Sequence, residues 1–266
     1  MDLGVGPLAN SFVTAERLQQ PEVFHPLCVW VCDQCRLAQI ENFVSPQQRF
    51  SEYVYFSSYS QGQLHHAKVY SSALVTRFGL NEDMVSESLG NAGLRIFDVE
   101  RLPTHGGSLR VFACLDEGPY FEQPAVKARA QEEHDGRLYE PETHSHSAER
   151  VVDIKCDVLD FLIRARQKGK TVCGYGAAGK ATTFVNYCGI GPELLCVVAD
   201  RNPHKQGTWM PGKRIRVVTP EDMLAMRPNY VLILAWNLRD EIANDLAIIR
   251  EWDGRFVTAI PALNIF

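Results

Sequence analysis

The sequence lacks several features, and each lack excludes a class of protein. No uninterrupted apolar run approaches the roughly 20 residues of a membrane-spanning helix. Basic residues are in deficit, because 27 Lys and Arg face 32 Asp and Glu, so the net charge of −5 gives no general attraction to nucleic acid or anionic membranes. Residues 1–4 lack the basic and then apolar design of a secretory signal. We therefore expect a cytoplasmic protein with neither a nucleic-acid nor a membrane partner.

Metal-binding cysteine pairs are also scarce. Cys28, Cys32 and Cys35 cluster, but only Cys32 and Cys35 form a Cys-x-x-Cys pair, whereas structural zinc takes four ligands, often from two such pairs. Cys28 could add a third ligand and His25 a fourth, but so compact a set would be unusual. Cys32 and Cys35 are thus candidate zinc ligands, set against a reduced, metal-free loop, and we expect little or no bound zinc. The other cysteines sit among apolar residues and are predicted to be small buried hydrophobes: Cys114, Cys156, Cys173, Cys188 and Cys196.

The most informative stretch is rich in glycine. Residues 174–180 read Gly-Tyr-Gly-Ala-Ala-Gly-Lys, after a short apolar strand pattern and before a helix pattern at 181–187. A glycine-rich turn between a strand and a helix brings backbone N–H groups and a helix N-terminus toward an anion, usually a phosphate. The sequence therefore predicts a binder of a phosphorylated ligand, with Gly174, Gly176, Gly179 and Lys180 at the phosphate.

Strand and helix patterns alternate through the C-terminal half. Strands are predicted at 171–175, 194–199, 214–218, 230–235 and 255–260, and helices at 149–168, 180–187, 220–226 and 238–252. Thr219 and Pro220 form a good helix start. Apolar strands alternating with helices at this pace predict an α/β fold with a Rossmann-like parallel sheet.

The N-terminal half is organised differently. Residues 1–60 are predicted to be an irregular, β-rich region resembling part of a zinc lobe, and 61–147 a helix at 63–78, a hairpin of strands 94–99 and 108–113, and a polar linker with helical parts. Residues 148–266 form the predicted Rossmann-like domain.

The glycine-rich stretch has two other interpretations. Its Gly-x-Gly-x-x-Gly spacing also fits a dinucleotide fingerprint, and Asp200 closes the next strand, near where an acid would bind the adenosine ribose. That would indicate a nicotinamide-dependent oxidoreductase. Alternatively, the glycines only permit a tight turn and close packing of helix on strand.

Four segments carry a family resemblance: 174–180, 186–191, 200–207 and 234–238. With them, residues 170–261 resemble the C-terminal domain of SAM-dependent sugar C-methyltransferases, which methylate nucleotide-linked deoxy-keto-sugars. The likeness extends to 101–111, similar to the family's connecting hairpin, to 53–60, similar to its substrate-facing segment, and to 7–12, similar to its first zinc-lobe strand.

The sequence departs from that family in two places. Family members open with a further Cys-x-x-Cys, which would precede Met1 here, so half of the zinc site is expected to be missing. A segment like 78–85 leads, in the family, into a SAM-binding domain with an acidic-glycine turn and a His-Glu-His stretch. Here residues 85–94 instead rejoin the family beyond that domain. The resemblance therefore implies a SAM cofactor whose site is absent, and it assigns no catalytic residue.

The resemblance also implies substrate-binding residues. Tyr55, Ser57, Ser58 and Tyr59 would face the sugar, although hydroxyl residues are also common in β-sheet cores and edges. His105, Gly106, Gly107, Ser108 and Arg110 would meet the diphosphate, unless they form a plain hairpin turn. Lys180 would bind phosphate, unless it is a solvated lysine beside backbone donors.

Three hypotheses follow. The chain is a sugar C-methyltransferase shortened by loss of its catalytic domain; or it is a non-catalytic nucleotide-sugar binder or a scaffold that works with a separate SAM-binding chain; or it is an NAD-dependent oxidoreductase. The partner implied in the first two cases is a nucleotide-diphosphate sugar.

Overall fold

A computed structural model describes residues 1–33, 38–45, 69, 94–102, 107–115, 117–138 and 140–266. They belong to two compact units. The first combines Met1–Tyr55 with Pro141–Phe266, and the second is Phe56–Glu140. The predicted borders at 60/61 and 147/148 stay predictions, and the predicted helix at 63–78 lies, apart from Val69, outside the described residues.

The N-terminal lobe of the first unit is a small antiparallel sheet. Its strands are β1 (Asp2–Pro7), β2 (Phe24–Val31) and β3 (Ala38–Ile40), and β2 lies in the middle. A short 3-10 helix, Ala15–Arg17, lies between the first two strands. This lobe confirms the predicted β-rich N-terminal region.

The second unit contains the predicted hairpin. Strands β4 (Leu94–Leu102) and β5 (Ser108–Leu115) pair antiparallel, with Leu102 opposite Ser108 at the turn end. Helix α1 (Pro124–Asp135) follows and packs against β4. The hairpin prediction is confirmed, and α1 supplies the helical part expected in the linker.

A six-stranded sheet organises the rest of the first unit. Its strands are β6 (Val172–Tyr175), β7 (Val197–Ala199), β8 (Arg216–Val218), β9 (Tyr230–Ile233), β10 (Arg255–Thr258) and β11 (Asn264–Ile265). The spatial order is β8-β7-β6-β9-β10-β11, and all neighbours are parallel except the antiparallel β10–β11 pair. This is the strand order of a Rossmann fold, so the predicted fold class is confirmed.

Apolar residues alternate between the two faces of this sheet, as strands buried on both sides require. Val172, Leu232 and Val257 join one hydrophobic cluster, while their neighbours join the other. Helices α2 (Pro141–Gln167) and α3 (Gly179–Cys188) cover the first face; α4 (Pro220–Ala225) and α5 (Arg239–Asp245) cover the second. Both faces of the sheet are therefore covered by helices.

The predicted helix at 238–252 is wrong as a single element. The chain forms a 3-10 turn at Trp236–Leu238, then α5, then a second 3-10 helix at Ala247–Trp252. Leu246, with φ −104° and ψ 20°, interrupts the α-helical geometry between them. Among the helices that the structure describes, none combines the length and the apolar character needed to cross a bilayer.

Candidate functional site

The glycine loop (residues 174–180) lies at the carboxyl end of β6, the strand from which the chain connections run to opposite sides of the sheet. The loop begins at the end of β6. Gly176 lies beside Ala235, which follows β9, the neighbour of β6 on the side opposite to β7. Gly176 has φ +93°, and a Cβ added there would lie 2.9 Å from the Cβ of Ala235, so only glycine suits the position. In doubly wound sheets, ligands bind at the carboxyl ends of the strands, at the point where the connections on the two sides run in opposite directions.

The start of α3 offers free backbone donors. Its first residue is preceded by Ala178, which cannot cap the helix with a side chain. The N–H groups of Ala181 and Thr182 bond to the carbonyl oxygen of Ala178, but the N–H groups of Gly179 and Lys180 have no acceptor among the described residues. Unpaired donors and the positive end of the helix dipole together favour an anion here.

A turn of the N-terminal lobe lies against this helix start. Ala9 and Asn10 are the nearest neighbours of Gly179, and the Nδ2 of Asn10 is 3.5 Å from where a Cβ of Gly179 would lie. Asn10 is 8% exposed and holds φ +69°, a conformation that asparagine tolerates better than most residues. Its Oδ1 is buried and has no hydrogen-bond partner within the described chain. The helix start therefore carries both unpaired donors and a buried, unpaired acceptor.

Lys180 supplies the local positive charge. Its Nζ donates to the Oδ1 of Asn237 at 2.6 Å and lies 4.9 Å from the ring centroid of Trp236. Partial burial lowers the pKa of Lys180. No carboxylate of the described residues forms an ion pair with Lys180, so its positive charge favours an anion nearby.

Lys205 holds the backbone of the glycine loop through a hydrogen bond to Ala177. It is 5% exposed, and its Nζ donates to the carbonyl oxygen of Ala177 at 2.8 Å and lies 3.5 Å from the Oδ2 of Asp200. The ring of Phe12 lies 5.5 Å away. This cation already has a counter-ion and is buried, so it positions the loop's backbone and leaves the ligand charge to Lys180.

The carboxylate of Asp200 already contacts groups of the protein. Its Oδ1 accepts from the backbone N–H of Asn202 at 2.8 Å, and its Oδ2 faces Lys205. An adenosine-binding fold uses a carboxylate at the end of this strand for the ribose hydroxyls. Here that carboxylate already accepts from Asn202 and faces the buried Lys205, which weighs against the ribose of SAM or NAD at this loop.

A cavity of about 430 Å³ lies between the N-terminal lobe and α3. Asn10 lines it, and Thr183 and Tyr187 reach it from α3, one and two turns after Gly179. Phe43 and His25, whose rings stack 6.4 Å apart, line it from the lobe. The cavity therefore begins beside the helix start and continues along α3 between apolar and polar walls.

The other predicted site residues are placed differently. Gly107, Ser108 and Arg110 belong to the second unit, at the start of β5, and the Nη1 of Arg110 forms an ion pair with Glu100 at 2.7 Å. That pair holds the hairpin strands together. Seven predicted residues lie outside the described ones: Cys35, Tyr55, Ser57, Ser58, Tyr59, His105 and Gly106. Their predicted roles stay predictions.

The described cysteines do not form a zinc shell by themselves. Cys28 lies in β2, and its thiol donates to the Oδ1 of Asp2 at 3.4 Å. Desolvation, and after it this hydrogen bond, raise the pKa of Cys28. Cys32 lies just after that strand. Within the described ranges, no three His, Cys, Asp or Glu side chains gather as metal ligands would.

Two residues of the site were missed by sequence reasoning. Residues 7–12 were assigned to a zinc-lobe strand, but β1 ends at Pro7 and the following turn carries Asn10 to the glycine loop. That assignment is corrected, because the contact joins positions about 170 residues apart and no local pattern reports it. Asn237 was quoted only within a motif, and the 3-10 turn after β9 brings it to Lys180.

The strand order and the helix start define a Rossmann-like domain with a glycine-rich loop before α3. A family model described as "C-methyltransferase C-terminal domain" matches residues 103–261, and one described as "Putative zinc binding domain" matches residues 1–50. The chain belongs to the C-methyltransferase family. It is 34% identical over 169 residues to C-methyltransferase NovU from Streptomyces niveus, a match that covers 64% of this chain and 40% of that relative.

Proposed function

We propose that this chain binds a nucleotide-linked keto-deoxysugar through the glycine loop, as a shortened member of the sugar C-methyltransferase family whose methyl-transferring domain is lost. The observation that carries the proposal is the start of α3, where Gly179 and Lys180 present free N–H groups beside the unneutralised Lys180 ammonium. A diphosphate provides the negative charge and the acceptor oxygens that this arrangement requires.

The geometry also indicates where each part of the ligand would lie. With the diphosphate at Gly179, one end of the molecule would enter the cavity along α3, whose walls combine rings such as Phe43 with the unpaired Oδ1 of Asn10. A nucleoside has a flat apolar face and N–H donors, which suits both features. The sugar would then lie outside the cavity.

Methylation of a carbon beside a keto group needs a base that removes a proton and a donor to the enolate oxygen. SAM would supply the methyl group. Near the loop, Asp200 is neutralised by Lys205, so the described residues provide binding and orientation rather than proton transfer. Methyl transfer would then depend on a separate SAM-binding chain, which is the partner-subunit form of the proposal.

Calorimetric titration with a thymidine-diphosphate sugar tests the binding step. We expect Lys180→Gln to weaken binding about tenfold or more, because a charge-assisted contact to phosphate is lost. Lys168→Gln is the matched control, since this exposed lysine lies just after α2 and before β6, at the end of that strand opposite to the glycine loop. Equal affinity in both variants would remove the glycine loop from the binding site.

Incubation of the chain with SAM and a 4-keto-deoxysugar nucleotide tests the catalytic step. We expect no product from this chain alone. A mass gain of one methyl group on the sugar would show that the chain is a complete enzyme and that the assignment of a lost domain is wrong.

An NAD-dependent oxidoreductase is the other candidate for the same loop. The engaged carboxylate of Asp200 weighs against it, because the adenosine ribose would have to displace both Asn202 and Lys205. Saturable binding of NAD by calorimetry would favour this candidate over the nucleotide sugar.

A further inference from the structure

Two cysteines meet between the central strands of the large sheet. Cys173 lies in β6, and Cys196 lies directly before β7, the parallel neighbour of β6. Their Sγ atoms are 3.7 Å apart. Bringing them to the roughly 2.05 Å of a disulfide requires a small movement. The backbone N–H of Cys196 donates to the carbonyl oxygen of Val172 at 3.2 Å, so the movement has to come mainly from the two side chains.

The two sulfur atoms have different environments. Cys173 is fully buried, whereas Cys196 is partly exposed. In its thiol form Cys196 donates to the carbonyl oxygen of Val172 at 2.9 Å. A hydrogen bond from the Cys173 thiol lowers the pKa of Cys196, and the same contact raises the pKa of Cys173. Cys196 is therefore the sulfur that a solvent-borne reagent reaches and the one more readily present as thiolate.

Cys188 and Cys156, the other cysteines of the helices that cover the large sheet, are not arranged in this way. Cys188 is buried in the other hydrophobic cluster, and burial raises its pKa to about 12. Cys156 is exposed on α2, and no second sulfur contacts it among the described residues. The pair is therefore distinct in geometry from the cysteines around it.

We propose that Cys173 and Cys196 form a reversible disulfide when the protein meets a peroxide. The Cys196 thiolate attacks one oxygen of hydrogen peroxide, the O–O bond breaks, and hydroxide leaves, which gives a sulfenic acid on Cys196. The sulfur of Cys173 then attacks the sulfur of Cys196, the S–O bond breaks, and the departing oxygen takes up the Cys173 proton and leaves as water. In sum, two thiols and one peroxide give one disulfide and two waters.

The bond would link the strand that carries the glycine loop to its neighbour. Cys173 is three positions before Gly176, whose N–H donates to the carbonyl oxygen of Ala199 at the end of β7. The proposal does not rest on the ligand assigned to that loop, so it can be tested on the protein without ligand.

Peptide mass spectrometry after peroxide treatment tests the proposal. The full chain is treated with hydrogen peroxide, its remaining thiols are alkylated, and it is digested with trypsin and a glutamate-specific protease. Cleavage after Glu193 separates Cys188 from Cys196, so the crosslinked partners are identified directly. We expect a linked pair of peptides containing Cys173 and Cys196, lighter by two hydrogen atoms, with two of the eight thiols protected from alkylation and both restored by dithiothreitol.

Variants separate the proposed pair from general oxidation. Cys196→Ala is expected to abolish the linked peptide, and Cys156→Ser, which removes an exposed unpaired thiol, is expected to leave its yield unchanged. Conversion of Cys196 to sulfinic acid without a linked peptide would overturn the proposal. So would a linkage of Cys196 to any cysteine other than Cys173.

Discussion

The glycines of the loop have different structural roles. Gly176 is needed for its backbone, which has a positive φ, and for its contact with Ala235. At Gly179 a Cβ would meet Ala9 and Asn10 at ordinary contact distances of 3.4 and 3.5 Å, so this position has room for a methyl group. The sequence motif treats the two glycines alike, and the structure assigns one to folding and the other to the helix start.

We expect Gly176→Ala to lower the free energy of unfolding by about 1–3 kcal/mol, because the new side chain is strained at φ +93° and contacts Ala235 at 2.9 Å. Gly179→Ala is the matched control, with an expected change of less than about 1 kcal/mol. Urea unfolding followed by fluorescence measures both. Equal destabilisation would contradict the division of roles.

The lowered pKa of Lys180 gives binding and stability opposite responses to pH. Burial makes the folded state release this proton more easily than the unfolded chain does. Stability due to this group therefore rises as the pH increases from the folded pKa toward the unfolded value, since the unfolded chain then binds more protons. Phosphate binding weakens over the same alkaline range, because the charge is lost.

We expect the affinity for a nucleoside diphosphate to fall in mildly alkaline solution, at a pH below the usual pKa of lysine. Lys180→Arg should remove this dependence, because guanidinium stays protonated. Calorimetric titrations at several pH values provide the measurement. A pH dependence that is unchanged in Lys180→Arg would assign the titration to another group.

At the scale of elements, apolar periodicity predicted the parallel strands and α2 well, since each strand is buried on both faces and the helix on one. It failed where the geometry is set by distant contacts. The predicted helix at 238–252 divides at Leu246, and the turn after β1 turns toward the glycine loop. Neither the break at Leu246 nor the position of that turn produces a periodic pattern in its own segment.

The N-terminal lobe is held to the large domain by one cluster of polar contacts. Glu22 accepts from the Nε of Arg214 at 2.9 Å and from the N–H of Gly212 at 2.8 Å, and Arg214 also donates to the carbonyl oxygens of Leu18 and Gln20. Val13 and Trp209 add a pair of backbone hydrogen bonds, each 2.9 Å. These contacts keep the turn with Asn10 against α3.

We expect Glu22→Ala to loosen the lobe at a cost of roughly 1–3 kcal/mol, because a charged acceptor of two donors is removed. Hydrogen exchange should accelerate in residues 1–33 and remain unchanged in β9 and β10. Glu16→Ala, at an exposed position of the same lobe, is the control. Uniform acceleration across the whole chain would mean that the lobe does not open on its own.

At the scale of the whole molecule, the family explains the fold and leaves the activity to be tested. The chain spans 40% of the length of the relative NovU, and the family models that match it describe a C-terminal domain and a putative zinc-binding domain. The sequence could predict the loop because its chemistry is local. It could not predict Asn10 as part of the site, because that contact depends on how the lobe and the sheet pack.

Zinc content tests the N-terminal region as a whole. We expect the purified chain to contain well below one zinc ion per molecule, because Cys28 is turned toward Asp2 and the described residues supply no complete ligand set. Elemental analysis measures the ratio, with a known zinc protein as standard. One zinc per chain that is lost in Cys32→Ser would show that the lobe binds metal.

The helix that begins at Gly179 starts without the side-chain oxygen that usually completes a first turn. A phosphate that accepts from the free N–H groups would take the place of that missing oxygen, so the ligand would finish an element of secondary structure. Occupancy of the loop would therefore appear as a rise in melting temperature with ligand concentration. Recognition and folding would then share the same few hydrogen bonds.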